Sequence, residues 1–195
     1  MSRPVSPCEP KGVVADVSLV ADDLMGVVAH FQGPLLRYVG RMLGHRDDET
    51  EDIVQETFIR LHKQVRKQGS DSIQHLSTWL FRVAHNRTLD VIRRRKRQKN
   101  KRPTIGMDQD NVQEQIANDM DALGEMLRKE SRQVALEALA QLGPDIRQVI
   151  LLKIIQGMSL RQVSEIMGVS LSTVNYRLNL GLTELAGRLK RAGVV

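Results

Sequence analysis

The stretch from Ser159 to Leu189, SLRQVSEIMGVSLSTVNYRLNLGLTELAGRL, decides how this half of the chain folds. Ser159 is a capping residue, and Leu160, Val163, Ile166 and Met167 recur at helical spacing, which predicts a short amphipathic helix. Gly168-Val169-Ser170 reads as a tight turn, after which Ser170 caps a second helix held by Val174 and Leu178. A glycine turn between helices with these apolar offsets is the helix-turn-helix arrangement, whose second helix enters the DNA major groove. A generic helical hairpin shares the apolar spacing. The Gly-Val-Ser turn and the Ser-x-x-Thr-Val helix start favour the DNA reading.

Immediately upstream, Val134, Leu136, Ala138, Leu139 and Leu142 lead to Gly143-Pro144-Asp145, a stop followed by a fresh start. Ile146, Val149, Ile150, Leu152, Ile154 and Ile155 then predict a further helix, ended by Gly157. The second unit is therefore expected over residues 123–195, as a four-helix domain containing the helix-turn-helix. Residues 102–122 are acidic and amide-rich, with few large apolar side chains, and read as a flexible linker. Their acids, Asp108, Asp110, Glu114, Asp119 and Asp121, would avoid phosphates.

The first unit is expected over residues 21–101. Leu24, Val27, Val28 and Phe31 predict a helix that Gly33-Pro34 breaks or restarts, with Gly44 as a C-terminal cap. A second helix buries Ile53, Val54, Thr57, Phe58 and Leu61 and leaves Glu49, Glu51, Asp52, Gln55 and Glu56 mostly outside. Such clustered carboxylates can be a metal site, a dipole-favoured first turn, or a docking face for a basic partner. No histidine completes a metal set. Gln64 to Ser72 reads as the loop into a third helix, Ser77 to Lys101, capped by Ser77 or Thr78. At about 100° per residue, Leu80, Val83, Ala84 and Val91 form its core stripe, and Trp79, Asn86, Asp90 and Arg93 share a neighbouring arc. The run Arg93, Arg94, Arg95, Lys96 and Arg97 repels itself without a repeating anion. A lone Trp is most often core and a basic helix end is often solvated, but a basic rail leading into an aromatic and an amide suits single-stranded nucleic acid.

Composition agrees with this reading. The chain has 195 residues, a net charge of +6 and only 3% aromatic residues. Strand signals are nearly absent, so the expected fold class is all-α. Cys8 is the only cysteine, which excludes an intrachain disulfide and points to a reduced, cytoplasmic setting. No apolar run is long enough to span a bilayer. Residues 1–20, with Pro4, Pro7 and Pro10, are expected to be a disordered tail. The five histidines show no metal spacing and no glycine-rich phosphate loop occurs, so no cofactor, small-molecule substrate or enzymatic activity is expected.

Two segments in this order resemble an extracytoplasmic-function sigma factor of bacterial RNA polymerase. EDIVQETFIRL and STWLFRVAHNRTLDVIRRRKR resemble that family's region two, and LGPDIRQVILLKIIQGMSLRQVSEIMGVSLSTVNYRL its region four. The resemblance implies that Asp52, Gln55 and Glu56 dock on the β′ clamp helices of core RNA polymerase, with the β flap as a second contact. It implies that the loop from Gly69 to Ser77, with Asn86, holds a base flipped from the minus-ten element of promoter DNA, supported by Trp79. Arg93, Arg94, Arg95 and Arg97 would lie on duplex phosphates upstream. Ser172, Thr173, Asn175, Tyr176 and Asn179 would face the minus-thirty-five major groove, with Arg177 clamping a phosphate. An anti-sigma factor is the further partner implied. Asn175, Leu180 and Leu182 stand where the family commonly has basic residues, which implies weaker or unusual reading of that element. The alternative reading is a free-standing helix-turn-helix transcription regulator, which would bind DNA without polymerase.

Overall fold

The computed structural model describes residues 23–44, 48–101, 131 and 133–193. The expected tail and linker, and Cys8 with them, lie outside these residues. Seven α-helices and no strand occur among the described residues.

Helix α1, Leu24–Leu43, begins at Asp23, whose side chain accepts from the Gly26 N–H at 2.9 Å. It ends at Gly44, whose left-handed φ of +85° turns its own N–H onto the Gly40 carbonyl. The expected break at Gly33-Pro34 does not occur: α1 runs straight through Pro34. An interior proline costs about 3 kcal/mol. On either side of it Val27, Phe31, Leu35, Leu36, Tyr38, Val39 and Met42 are buried in one core, and each large apolar side chain returns roughly 2 kcal/mol. Packing outweighs the local rule.

Helix α2, Asp48–Gln68, buries Ile53, Val54, Thr57 and Leu61 as the periodicity indicates, but Phe58, expected with them, is only half-buried. It extends through Gln64–Gln68, which the sequence suggested as loop; Gln64 Nε2 donates to Gln68 Oε1 at 2.7 Å along that last turn. The connection is shorter, from Gly69 (φ +79°) through one 3₁₀ turn at Ser70–Ser72.

Helix α3, Leu76–Lys101, starts before Ser77 and Thr78, so neither caps it. Both are buried, because they share a broad face with Leu80, Phe81, Ala84, His85, Thr88 and Val91. That face is wider than the expected stripe and displaces its centre, leaving Val83 only half-buried. The Thr88 hydroxyl on it is satisfied locally, Oγ1 donating to the Ala84 carbonyl at 2.7 Å, as Thr57 Oγ1 on α2 donates to the Ile53 carbonyl at 2.8 Å, whereas the buried Thr78 Oγ1 has no partner among the described residues.

His85 and Tyr38 tie α3 to α1 through a 2.8 Å hydrogen bond between Nδ1 and Oη inside the core. Burial pushes the Tyr38 phenol far up and pushes His85 down to about 4, with Arg93 adding to the histidine shift and Asp145 opposing it. The unfolded imidazole takes its proton near pH 6.5 and the folded one only near pH 4. This group therefore contributes its full stability above pH 6.5, and about 3 kcal/mol drains away as pH falls to 4. Urea unfolding of wild type and His85→Gln at pH 7.5 and 5 checks this: the variant should lose part of the pH slope, and equal slopes would remove the assignment.

In the second unit residues 133–140 form α4, and Pro144 opens α5, Pro144–Ile150, which widens into a π turn over Leu151–Ile155. Leu151 and Leu152 are buried, but Ile154 and Ile155 are exposed, against expectation. Consecutive apolar residues on a helix point about 100° apart, so so long a run cannot all face one core. Helix α6, Leu160–Met167, carries a complete capping box between Ser159 and Gln162 and ends at Gly168 (φ +65°). Ser170 then caps α7, Leu171–Arg191, by accepting from the Thr173 N–H. The expected helix-turn-helix is present, with Val163, Ile166, Val174 and Leu178 as its shared core. Helix α7 crosses α5 at Gly181, where a Cβ would sit 2.6 Å from Ile146 Cγ2, so only glycine allows this approach.

The two units share one hydrophobic cluster. Helix α6 packs on α3 and α1 touches α5, with Gln156 Nε2 donating to the Pro34 carbonyl at 3.5 Å.

Candidate functional site

Three surfaces carry the side chains singled out by the sequence. The first is the outer face of α2. Asp52 and Gln55 are exposed there, with Ile59 one turn beyond Gln55 and 52% exposed. Glu56 is only half exposed and is committed within the fold. Its Oε1 accepts from Arg60 Nη2 at 2.7 Å and its Oε2 from Arg87 Nε on α3 at 2.7 Å. Partial burial pushes its carboxyl up, but the two guanidiniums outweigh this and hold it below the usual range. Glu49 similarly receives both Arg94 and Arg95 from α3. The acidic face thus divides into residues that hold α2 to α3 and a free edge of Asp52, Gln55 and Ile59. Ile59 was not singled out from sequence; an apolar residue at i+7 from Asp52, off the buried stripe, was the available signal.

The second surface lies along α3. Trp79 is half-buried, and Asn86, Asp90 and Arg93 are exposed on the line expected for them. Trp79 and Arg82 line a cleft of about 750 Å³ with the loop Asp71–His75. Its opposite wall is α6, contributing Arg161, Gln162 and Glu165. Asn86 lies two turns further along the helix and does not line this cleft. Of the basic run, Arg93 approaches Asp90 at 3.5 Å, Arg94 and Arg95 are held by Glu49, and Lys96 and Arg97 are exposed.

The third surface is the outer face of α7. Ser172, Asn175, Tyr176 and Asn179 are exposed, Tyr176 by 68%. Asn175 and Asn179 stand one turn apart, so both amides point the same way. The Ser172 and Thr173 hydroxyls bond to Ser170 Oγ at 2.9 and 2.8 Å and so belong to the helix cap. Arg177 turns back onto Asp145 at the start of α5, Nη2 to Oδ2 2.6 Å. Leu180 is half-buried and Leu182 exposed, so the middle of α7 carries apolar side chains at these positions, and beyond Arg177 basic residues come only in its last turn, at Arg188, Lys190 and Arg191.

Residues 27–98 match the family model of sigma-70 region 2, and residues 132–185 match that of sigma-70 region 4. The ECF RNA polymerase sigma factor SigW of Bacillus subtilis is 30% identical over 177 residues, covering 87% of this chain and 90% of its own. The ECF RNA polymerase sigma factor SigL of Mycobacterium tuberculosis is 33% identical over 161 residues, covering 82% and 85%. Among solved structures, the sigma factor RpoE in complex with the anti-sigma factor NepR from Bartonella quintana superposes with a TM-score of 0.68 at 21% identity, over 87% of this chain and 98% of its own. With both regions matched in order and relatives aligned over most of their length, the chain belongs to the ECF RNA polymerase sigma factors.

Proposed function

We propose that this sigma factor works without catalysing a reaction, in the cytoplasm, by docking on core RNA polymerase and bringing it to promoters through two separate DNA-reading surfaces. The observation that carries this is the pairing, in one chain, of an exposed amide-bearing recognition helix with an exposed aromatic, amide and basic line on α3. Duplex reading needs the first and strand capture needs the second. Asp52 and Gln55 form the edge offered to the β′ clamp, and Glu56 stiffens that edge from behind through Arg60 and Arg87. The loop Gly69–Ser77 with Trp79 and Asn86 receives the unpaired minus-ten base, and Arg93, Arg94, Arg95 and Arg97 follow the phosphates. Glu49 must share or release Arg94 and Arg95 for that purpose. On α7, Asn175, Tyr176 and Asn179 read the minus-thirty-five groove, Ser172 and Thr173 fix the helix start, and Arg177 reaches a phosphate by exchanging its Asp145 partner. The exposed apolar side chains Leu171 and Leu182 suit the β flap. A solved relative bound to an anti-sigma factor supports a partner of that kind here.

The test is transcription by core polymerase from a library of random promoters, with and without this chain. Wild type should select a bipartite promoter. Asn175→Ala or Asn179→Ala should relax one or two upstream positions, each costing roughly 1–3 kcal/mol of discrimination. An unchanged upstream element in both variants would remove the reading role.

A further inference from the structure

Helix α2 changes sign along its length. Its first half is acidic, but from Thr57 to its end at Gln68 it has no carboxylate and carries Arg60, His62, Lys63, Arg66 and Lys67, all exposed. Arg66 and Lys67 lie in the last turn, where they complement the helix dipole; Arg60, His62 and Lys63 stand too far back for that. Arg60 is held by Glu56, whereas Lys63, Arg66 and Lys67 have no ion-pair partner among the described residues.

The register against α3 places this basic end. Glu49 meets Arg94 and Glu56 meets Arg87, so seven residues forward on α2 answer seven residues back on α3. The two helices are antiparallel, and the next step of seven sets Lys63 level with Leu80. Lys67 comes level with Leu76, where α3 begins. At about 100° per residue, Glu49, Glu56, Lys63 and Lys67 share an arc of roughly 40°, the flank of α2 turned toward α3. The lysines therefore border the loop Gly69–Ser77 and Trp79. The basic run that starts at Arg93 lies at the opposite end, about 21 Å along α3 from Trp79.

We propose that this end of α2, through Lys63 and Lys67, is a second phosphate-binding surface, which holds the captured strand where it continues downstream past the flipped base. The inference rests on the sigma reading and extends the strand's path across the molecule. A base drawn from the stack leaves duplex on one side of it and unpaired strand on the other. The run on α3 serves only the duplex side, while every phosphate of the unpaired side still carries its charge. Lys63 and Lys67 are about 6 Å apart along the helix axis, which spans about two phosphates. Lysine suits a mobile backbone, being a point charge on a flexible stem rather than a rigid fork. Beyond Ile59 no apolar side chain is exposed on α2, so this surface lacks the apolar centre that a protein partner normally uses.

The experiment combines core polymerase with the full chain as wild type, as Lys63→Gln with Lys67→Gln, and as Lys63→Arg with Lys67→Arg. Two promoter templates are compared. Both are duplex upstream and unpaired at the minus-ten element; one stops there, and the other continues downstream as a single-stranded tail. Wild type should bind the tailed template more tightly. The glutamine pair should bind the short template as wild type does but lose most of the gain from the tail. Its slope of log affinity against log salt on the tailed template should be shallower by about 1.4, about 0.7 for each of two phosphates no longer neutralised. The arginine pair should keep the gain. An equal gain from the tail in wild type and the glutamine pair would overturn the proposal. So would loss of core-polymerase binding by the glutamine pair, which would make this end a protein contact. A wild-type holoenzyme that binds neither template better than core polymerase alone would strike the sigma reading instead.

Discussion

Asp52→Arg is expected to abolish capture by core polymerase while leaving the fold as stable as wild type. Asp52 is exposed on the free edge of α2, away from the buried residues Ile53, Val54, Thr57 and Leu61. Reversing an exposed charge normally changes stability by about 0.5 kcal/mol or less. Against a basic partner surface, however, it places like charges together at a cost of several kcal/mol, roughly a hundredfold or more in Kd. Glu56→Arg would be a poorer probe. It would cut the tie to Arg87 and set a third guanidinium beside Arg60 and Arg87, so lost binding could not be told from a loosened α2–α3 pair. Titration of labelled core polymerase, beside thermal unfolding of the free variant, decides the matter: wild-type affinity in a well-folded Asp52→Arg chain removes the docking edge.

Asn86→Ala should give a holoenzyme that assembles and finds promoters but opens them poorly. The side chain is exposed and the buried arc of α3 passes elsewhere, through Leu80, Phe81, Ala84, Thr88 and Val91, so the truncation removes an amide without touching the core. Opening a duplex costs a few kcal/mol of pairing and stacking per extruded base, and the pocket offsets this only if its polar contacts are in place. A template already mismatched at the minus-ten element removes that cost and should restore much of the activity. Equal permanganate reactivity for Asn86→Ala and wild type on fully paired DNA would sink the pocket assignment. The variant also leaves the cleft between α3 and α6 untouched, because Asn86 does not line it whereas Trp79 does.

What could be read from the sequence is what neighbouring residues decide. The caps at Ser159, Gly168 and Ser170 and the left-handed Gly44 depend on side chains within three or four positions, and each stands where local chemistry put it. The amphipathic face of α2 is equally local. The departures come from contacts distant in the chain. Pro34 is tolerated because α2 and α3 bury residues on both sides of it, which no local rule for proline contains. Ser77 and Thr78 resemble caps but face a core, and His85 resembles a surface or ligand histidine until Tyr38 is placed 47 residues away beside it. Gly181 looks like a weak point in a helix; its purpose becomes visible only when Ile146 arrives from α5. Among the site residues, solvent exposure followed from periodicity, while the engagement of Glu49, Glu56, Arg94, Arg95 and Arg177 with other helices did not.

Trp79 is the only tryptophan in the chain, and it is half-buried on the wall of the cleft between α3 and α6. Indole emission depends on how much water surrounds the ring, so nearly the whole ultraviolet signal of this protein comes from the one place where its two units meet. Parting the units would wet the ring and move its emission to longer wavelength; a base stacking on it would quench it. The molecule carries its own optical gauge of the contact between its two units, in a position no engineered label needs to occupy.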